Sequence, residues 1–511
     1  HIAYYDTITA DANKLNISIN IPNSASQELS NSLAAINIKG DNLNANVSDM
    51  IATALKDYNI HAQISNLLNE NSPMSICADF GISRVDFKMD DIDVSANNPS
   101  GTLAMLSSNN SDNTSYIIAY NGDSLSFNMG EEMDFVTEAL NFNLSANHNS
   151  SQQDLLLQWN PHAGIKLTNA IFSMKDITKP VYIPSIDFNY DTTGIVINKS
   201  SILFGNSDFS LQGAFTNVDE FIRKEELLIG NLDFTSRYTD INELMTIFSG
   251  MGDTTIVANE NDVITDTIQK EDDPFIVPLG VDITLNTMIE NAVASDMKLS
   301  NIRGGLRVKD GILVLQEMGF TSDAATMMVT AMYKSPRKNH LYLGLDLHLL
   351  EIDIAEMINL IPELDTIVPM LKSFAGKAEF HFAAETYMKS NYDLKISTLR
   401  GAAAIRGKDL VVLDNETFRR IAKLLNFKDK NHNKIDNLSV EMTAFKNEID
   451  VYPTLITLDK YQAVVQGRHN LDMTFDYRLG LANPWTVRIL GIELIGGIDD
   501  MRLILRLKKN L

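Results

Sequence analysis

Residues 341–350 have the sequence LYLGLDLHLL, with leucine at every odd position. Tyr342, Asp346 and His348 stand between the leucines. Successive side chains of a β-strand point to opposite faces of the sheet. A strand over these residues therefore has one apolar face and one polar face, which is typical of antiparallel sheet.

The same alternation recurs along the chain. It is found in Val281-Ile283-Leu285, Tyr392-Leu394-Ile396, Leu438-Val440-Met442-Ala444, Leu471-Met473-Phe475-Tyr477-Leu479 and Leu503-Leu505-Leu507. We therefore expect a mainly β protein of elongated, repetitive antiparallel sheets. The sheets are expected to curve, either as an open groove or as a sandwich, with a few short helices as caps.

Helical patterns are fewer than strand patterns. Residues 415–427 place Phe418, Leu424 and other apolar side chains on one stripe after an N-cap at Asn415. Residues 353–372 predict one or two helical pieces interrupted by prolines. Shorter helices are predicted after Val218, after Asp240, and over Ser48–Lys56.

A weak repeat divides the chain. The segment GIVIN at Gly194 is matched by GILVL at Gly311, 117 residues later, and more loosely by EIDVY at Glu448. Such self-similarity indicates duplicated sheet modules. Residues 252–273 are acidic and polar, as a linker would be. We predict an N-terminal β-rich module over residues 1–160, a central β-repeat unit over 161–270 that ends in this linker, and a C-terminal module over 271–511.

Composition excludes several classes of protein. Lys and Arg total 42 against 66 Asp and Glu, so the net charge is −24 and nucleic acid is not an expected partner. The single cysteine, Cys77, excludes an intramolecular disulfide framework. No apolar run is long enough for a membrane-spanning helix. The chain begins at His1, so we expect any membrane anchor to lie outside it.

Motifs for catalysis and cofactor binding are missing. The nine histidines show no metalloprotease spacing, and no nucleophile elbow, phosphate-binding loop or dinucleotide fingerprint occurs. Glu379, His381 and Glu385 share one strand face, which a solvated surface explains as well as a metal site does. Asp429–Asn433 imitates the start of a calcium loop, but Lys434 replaces the required glycine. The sequence predicts a non-enzymatic protein with no cofactor and no metal.

Several segments, in this order, resemble AsmA-like proteins. They are GNLDFTSRYTDINELM (Gly230–Met245), PFIVPLGVDITLNT (Pro274–Thr287), LSNIRGGLRVKDGILVL (Leu299–Leu315), the leucine-rich stretch Leu343–Ile354, and VVQGRHNLD (Val464–Asp472). The resemblance covers residues 165–511 well and the first 165 loosely. It implies a periplasmic β-structure, anchored to the inner membrane of a diderm bacterium and related to TamB and the bridge-like lipid-transfer proteins. It also implies a curved sheet whose concave apolar face carries acyl chains or supports outer-membrane assembly.

The predicted working surface is the apolar strand face. Its representative lipid-contacting residues are Val281, Ile283, Leu285, Leu343, Leu345, Leu347, Met473 and Phe475. The predicted partners are phospholipid or another lipid, the inner-membrane anchor and other envelope proteins. The alternative is a structural or adhesive β-repeat protein with a closed, dry core that binds glycans or proteins. Only Trp159 and Trp485 could supply indole stacking to a glycan.

Overall fold

The structure is a computed structural model, and the prediction of a mainly β, antiparallel protein is confirmed. It describes residues 2–4, 8–21, 33–47, 51–66, 73–108, 113–152, 158–175, 177, 179–243, 274–294, 297–322, 325–360, 374–412, 434–458, 461–472, 474–483, 490–497 and 502–507. These residues form two compact units, His1–Thr239 and Asp240–Leu511.

The first unit is built almost entirely of strands. They are β1 (Ile2–Tyr4), β2 (Ile8–Asn13), β3 (Asn16–Asn20), β4 (Leu33–Val47), β5 (Ile51–Ser65), β6 (Ser75–Met89), β7 (Ile92–Asn97), β8 (Ser100–Ser107), β9 (Asn113–Gly122), β10 (Ser124–Met129), β11 (Met133–Thr137), β12 (Ala139–Asn149), β13 (Pro161–Met174), β14 (Val181–Asp191), β15 (Gly194–Phe204), β16 (Ser207–Thr216) and β17 (Leu228–Asp240). A short helix, α1 (Val218–Ile222), joins β16 to β17.

The second unit repeats this construction. Its strands are β18 (Val281–Ala294), β19 (Met297–Lys309), β20 (Ile312–Ser322), β21 (Thr326–Arg337), β22 (His340–Asp353), β23 (Phe374–Ala375), β24 (Lys377–Met388), β25 (Arg400–Val412), β26 (Lys434–Phe445), β27 (Glu448–Leu458), β28 (Tyr461–Asn470), β29 (Phe475–Asn483), β30 (Leu490–Gly496) and β31 (Arg502–Leu507). Helix α2 (Ile354–Leu360) follows β22, and a 3₁₀ turn covers Ile396–Thr398.

Each unit is an antiparallel meander in which chain neighbours are also sheet neighbours. In the first unit some strands are interrupted, so that β2 and β3 both pair with β4, and β7 and β8 both pair with β6. The next strands are interrupted in the same way, so that β9 pairs with β12, β10 pairs with β7 and β11, and both β11 and β12 pair with β13. From β13 the strands pair in chain order to β17. In the second unit the order runs from β18 to β31, with β22 pairing directly with β24.

Many strands are interrupted partway along their length, either by a residue with positive φ or by a register shift, and we call the path of these interruptions across a sheet the bulge line. In the first unit it includes Asp57, Asn98 and Asn169, which have positive φ values. In the second unit it includes Asn301 and Asp409, also with positive φ. Such an interruption of the ladder bends its strand and re-aims the side chains beyond it, as a β-bulge does. Each sheet therefore bends along its bulge line.

The three predicted repeat segments, which begin at Gly194, Gly311 and Glu448, share a structural feature. Their strands β15, β20 and β27 each have a register shift shortly after the hairpin turn, at Ile197/Ser200, Leu315/Met318 and Val451/Thr454 respectively. The shift follows the second apolar-face residue of each strand. The sequence repeat thus corresponds to a hairpin strand with a bulge at a fixed position.

The predicted helices have mixed outcomes. Helices are present after Val218 and at residues 241–243 and 354–360. The prediction over Ser48–Lys56 is wrong, because Ile51 begins the 15-residue strand β5, whose backbone pairs along both β4 and β6. Pairing on both sides outweighs the weak local helical pattern. Residues 361–373 and the predicted helix 415–427 lie outside the described residues.

One predicted strand is also wrong. Residues 392–396 do not form a strand but a turn with a single β-bridge from Leu394 to Met388, followed by the 3₁₀ turn. Tyr392 has a positive φ, and the amide of Lys389 donates to the carbonyl of Asp393. The turn therefore closes before a ladder can extend. Period-two alternation over three apolar residues is too short to specify a strand.

The three-module division remains a prediction. The boundary near residue 160 falls between β12 and β13, whose backbones pair from Ala139 to Ala146. The boundary near residue 270 and the acidic segment 252–273 lie outside the described residues.

Two neighbouring glycines provide a test of the sheet packing. A Cβ on Gly101 would lie 1.9 Å from the carbonyl oxygen of Ala119, whereas a Cβ on Gly81 would meet no atom within 4 Å. We expect Gly101→Ala to lower the free energy of unfolding by about 2–3 kcal/mol, because the β9 backbone at Ala119 must move to make room for the new Cβ. Gly81→Ala, its matched control, should change it by less than about 0.5 kcal/mol. Urea unfolding followed by circular dichroism measures both, and equal effects would contradict the close approach of β8 to β9.

Candidate functional site: the apolar sheet faces

A continuous row of apolar side chains crosses the first unit. Residues directly opposite one another in an antiparallel pair lie on the same face, so the register defines the row from β3 to β17. Its members are Ile17, Ile38, Ile60, Phe80, Gly101, Tyr120, Phe142, Ile165, Phe188, Ile197, Gly213 and Leu232. Every position is apolar, aromatic or glycine.

The opposite face of the same strands is polar over most of its length. The adjacent row runs from Ser18 through Asn37, His61, Asp79 and Thr102. Thr102 donates to Asp79 at 2.6 Å, and the Asn37 amide donates to Ser18 at 3.3 Å. The sheet of the first unit is therefore two-faced, with water on the polar side.

The second unit has an equivalent apolar row, and it joins predicted site residues that are far apart in sequence. Its members are Leu285, Leu306, Leu315, Ala331, Leu345, Ala384, Gly401, Ala444, Ile449, His469, Phe475 and Gly496. Ile283 connects to Leu343 by a parallel row through Val308, Leu313 and Tyr333. Val281 and Leu347 are on the same face, and Met473 lies outside the described residues.

His469 is the one strongly polar member of this row. Its Nδ1 lies 2.8 Å from the hydroxyl oxygen of Tyr477, and both side chains are buried. Burial raises the pKa of Tyr477 to about 12. The pair therefore satisfies its polar atoms internally and leaves the face apolar.

Much of the apolar face is open to solvent. In the first unit, Leu103 and Ile118 lie opposite each other and are 49% and 41% exposed. In the second unit, Ile283, Leu285, Leu343, Leu345 and Phe475 are half-buried, while Val281 and Leu347 are buried. Side chains packed against a second sheet would be buried along the whole strand. Among the described residues, therefore, no second sheet covers these side chains completely.

Burial along the bulge line shows which way the first unit bends. On the apolar side of this line, Tyr58 is 1% exposed and Ala170 is fully buried. On the other side, Asp57, Asn98 and Asn169 are exposed. Side chains crowd on the inside of a bend and separate on its outside. The sheet of the first unit is therefore concave on its apolar face.

The second unit bends the same way. Leu349, Phe380 and Leu410 are buried on the apolar side of its bulge line, whereas Asn301 and Asp409 are exposed. Half-buried apolar residues of β18–β22 therefore lie beside a buried margin, and we call the half-buried group that includes Ile283, Leu285, Leu343 and Leu345 the floor.

Ion pairs lie on the polar face behind the floor. Arg307 makes two hydrogen bonds to the Asp282 carboxylate, both at 2.9 Å, and Lys309 lies 2.9 Å from the same carboxylate. These hydrogen bonds lower the pKa of Asp282 to about 2. Because Asp282 alternates with Val281 and Ile283, its pairing holds β18 to β19 without placing charge on the apolar side.

Glu379, His381 and Glu385, which alternation in the sequence places on one strand face, lie on the polar face of β24. His348 Nε2 donates to Glu379 at 2.7 Å, His381 Nε2 donates to Asp346 at 2.9 Å, and the Tyr342 hydroxyl donates to Glu385 at 2.9 Å. Each carboxylate therefore has its own donor. Among the described residues, no group of three or more His, Cys, Asp or Glu side chains is arranged to hold a metal ion. The calcium-like segment 429–433 lies outside them.

The apolar face of the first unit was not predicted from the sequence. Leu140, Phe142 and Leu144 alternate with polar residues in β12, as do Ile36 and Ile38 in β4. Both signals are in the sequence, but asparagine and serine between the apolar residues resemble loop composition. No helix in the described part of the chain is long and apolar enough to cross a membrane.

By fold and surface, the chain belongs to the class of two-faced antiparallel β-meanders with a concave apolar face. No protein-family model matches it, and no curated protein is similar to it at a significant level.

Proposed function

We propose that this protein is a non-enzymatic binder of lipid acyl chains, which lie against the apolar faces of its sheets. The observation that carries the proposal is the predominantly apolar row that crosses each unit, on a face that is both concave and half-exposed. Water-soluble proteins rarely leave contiguous apolar surface uncovered unless a partner covers it. An acyl chain is a partner that makes no demand for hydrogen bonds.

Burial of methylene groups can give the apolar face measurable affinity for acyl chains, with little selectivity among lipids. Each buried methylene contributes about 0.8 kcal/mol, so roughly ten methylenes on the floor give about 8 kcal/mol before the entropy of binding is subtracted. The row offers few polar groups to orient a ligand. We therefore expect the face to accept acyl chains of different lipids and to allow them to move along it.

The resemblance of residues 165–511 to AsmA-like proteins supports a cellular setting. We propose that the protein acts in the periplasm, anchored to the inner membrane. There it would conduct phospholipid or another lipid toward the outer membrane or support envelope biogenesis with other envelope proteins. The acidic net charge is compatible with these partners and unfavourable for nucleic acid.

The alternative, a structural or adhesive protein with a closed core, receives less support. It requires the apolar faces to be covered, whereas Leu103, Ile118 and the floor residues are partly exposed. Trp159 packs against Tyr116 and His148, with ring centroids 5.5 and 4.5 Å away, so this indole is already engaged. Trp485 lies outside the described residues.

Uptake of a fluorescent phospholipid by the purified, delipidated chain tests the proposal. We expect saturable emission that is competed by unlabelled phospholipid and by free fatty acid, and not by soluble glycans. Absence of uptake, or competition by glycan alone, would favour the adhesive alternative.

A further inference from the structure

Four segments of the second unit meet at one end of its strands, and we call this surface the rim. It consists of residues 274–280, 334–340, 388–400 and 445–447. The Lys395 ammonium donates to the carbonyl of Asn339 at 2.6 Å, and the amide of Lys446 donates to the carbonyl of Leu399 at 2.8 Å. The amide of Phe275 donates to the Tyr392 hydroxyl at 2.8 Å. The rim is thus a single connected surface.

The rim is strongly basic in an acidic protein. Its three segments after residue 280 contain seven basic residues and one acidic residue, Asp393, for a net charge of +6 against −24 for the whole chain. The basic residues are Lys334, Arg337, Lys338, Lys389, Lys395, Arg400 and Lys446. A local charge of opposite sign to the molecule indicates an anionic partner.

Large apolar side chains are exposed between these charges. Leu279 is 74% exposed and Phe445 is 52% exposed, and Tyr392 and Leu394 are also exposed. These side chains lie on loop and hairpin tips, where neighbouring strands cannot cover them. Apolar and aromatic tips among lysines and arginines are the pattern of a membrane-interface contact.

The aromatic and basic groups of the rim are also arranged together. Arg400 and Lys446 lie over the Phe445 ring, 5.7 and 5.0 Å from its centroid, and Lys334 lies 5.2 Å from the centroid of Tyr342. A depression of about 390 Å³ opens between Phe445, Arg400 and Tyr342, and the Glu385 carboxylate, which accepts from the Tyr342 hydroxyl, also lines it. Cationic groups held on aromatic rings in this way are available to phosphate oxygens.

The rim lies over one end of the apolar face. Val277 of the rim is 1% exposed, and its amide donates to the Ser335 hydroxyl at 2.7 Å. Leu341 and Met388, which lie opposite each other at the end of the apolar face, are buried. The rim therefore adjoins the floor.

We propose that the rim docks on the surface of a bilayer containing anionic phospholipid. Leu279, Leu394 and Phe445 enter the interfacial region, and the seven basic residues contact headgroup phosphates. An apolar insertion and a basic patch act together, since neither alone gives stable attachment. This docking does not depend on acyl-chain binding by the floor. A docked rim would place the floor beside the membrane surface.

Co-sedimentation with vesicles tests the proposal. We expect the chain to sediment with phosphatidylcholine vesicles containing phosphatidylglycerol and much less with phosphatidylcholine alone. Raising the salt should weaken binding, because charge attraction to the surface is screened. Each basic residue near an anionic surface contributes roughly fivefold in affinity, so Arg337→Glu with Lys338→Glu should lower the affinity by about tenfold or more. Leu279→Ser should lower it independently of salt.

A charge-matched control separates docking from general electrostatics. Lys298 and Lys408 are exposed and lie outside the rim, and Lys298→Glu with Lys408→Glu makes the same change in net charge. This variant should bind vesicles as the unmodified chain does. Equal losses in both double variants, or no sedimentation of the unmodified chain with phosphatidylglycerol vesicles, would overturn the proposal, the latter result favouring an acidic protein as the partner. Fluorescent-lipid uptake from monomeric short-chain lipid should be unchanged in all these variants, so a failure of docking is distinguishable from a failure of acyl binding.

Discussion

Replacing Leu345 with aspartate is expected to lower acyl-lipid binding by about tenfold or more while leaving the fold intact. Leu345 is half-buried at the centre of the floor, between Ala331 and Ala384 on the neighbouring strands. In the lipid-free protein a carboxylate at this position remains hydrated, because small side chains flank it. A bound acyl chain would remove that water, and burying an unpaired charge costs several kcal/mol.

The matched control is Ala402→Asp on the polar face. Ala402 is exposed in β25, one strand beyond β24, and is on the opposite face from Leu345. It adds the same charge to nearly the same part of the sheet. Fluorescent-lipid titration and circular dichroism should show a loss of binding only for Leu345→Asp. Similar binding by the two variants would mean that the floor does not hold the lipid.

Truncation of two phenylalanines on one strand face should impair different properties, stability in one case and lipid binding in the other. Phe380 and Phe382 of β24 have ring centroids 6.3 Å apart and planes inclined by 8°, but Phe380 is 1% exposed at the bulge line whereas Phe382 is half-buried. Phe380→Ala should lower the free energy of unfolding by about 3–5 kcal/mol, because it leaves a cavity in a closed region. Phe382→Ala should cost about 1 kcal/mol and reduce lipid affinity more than stability.

Urea unfolding and lipid titration of both variants provide the comparison. The expected result is a dissociation of the two effects: stability lost with Phe380, binding lost with Phe382. If both substitutions destabilised the protein equally, Phe382 would lie in a closed core, and the apolar face of the second unit would be a sandwich interior.

The sequence predicted the strands and their two-faced character because these depend on local alternation. Leu341–Leu349 place five leucines on one face without reference to any other strand, and the structure has them in β22. The register between strands, unlike the alternation within a strand, is not determined locally. The row that joins Leu285, Leu345 and Phe475 depends on the length of every intervening hairpin and the position of every bulge, and the sequence specifies these only weakly.

The bulges explain most of what could not be predicted. In β20, Ile312, Leu313, Val314 and Leu315 are all apolar, so alternation does not reveal which of them face the floor. The extra residue near Glu317, which has a positive φ, then moves the apolar face to Met318. The direction of bending follows from the same residues. Asp57, Asn98, Asn169 and Asn301 resemble turn residues in sequence, although each lies within or between paired strands.

The rim could not be predicted from the sequence for a different reason. Tyr392, Leu394 and Ile396 alternate as a strand would, and this pattern predicted that they belong to the sheet. Their exposure on a turn shows that the same pattern also suits a surface that contacts an apolar partner. Only the proximity of residues 334–340 and 445–447 showed that the turn belongs to a basic surface.

Native mass spectrometry of the purified chain, combined with organic extraction and lipid analysis, measures whether the apolar faces hold acyl lipid. We expect adducts with the masses of cellular acyl lipids, present in the unmodified chain and in Ala402→Asp and strongly reduced in Leu345→Asp and Phe475→Asp. A chain that carries no lipid as purified, and that also takes up none on incubation with phospholipid, would contradict an open acyl-binding face.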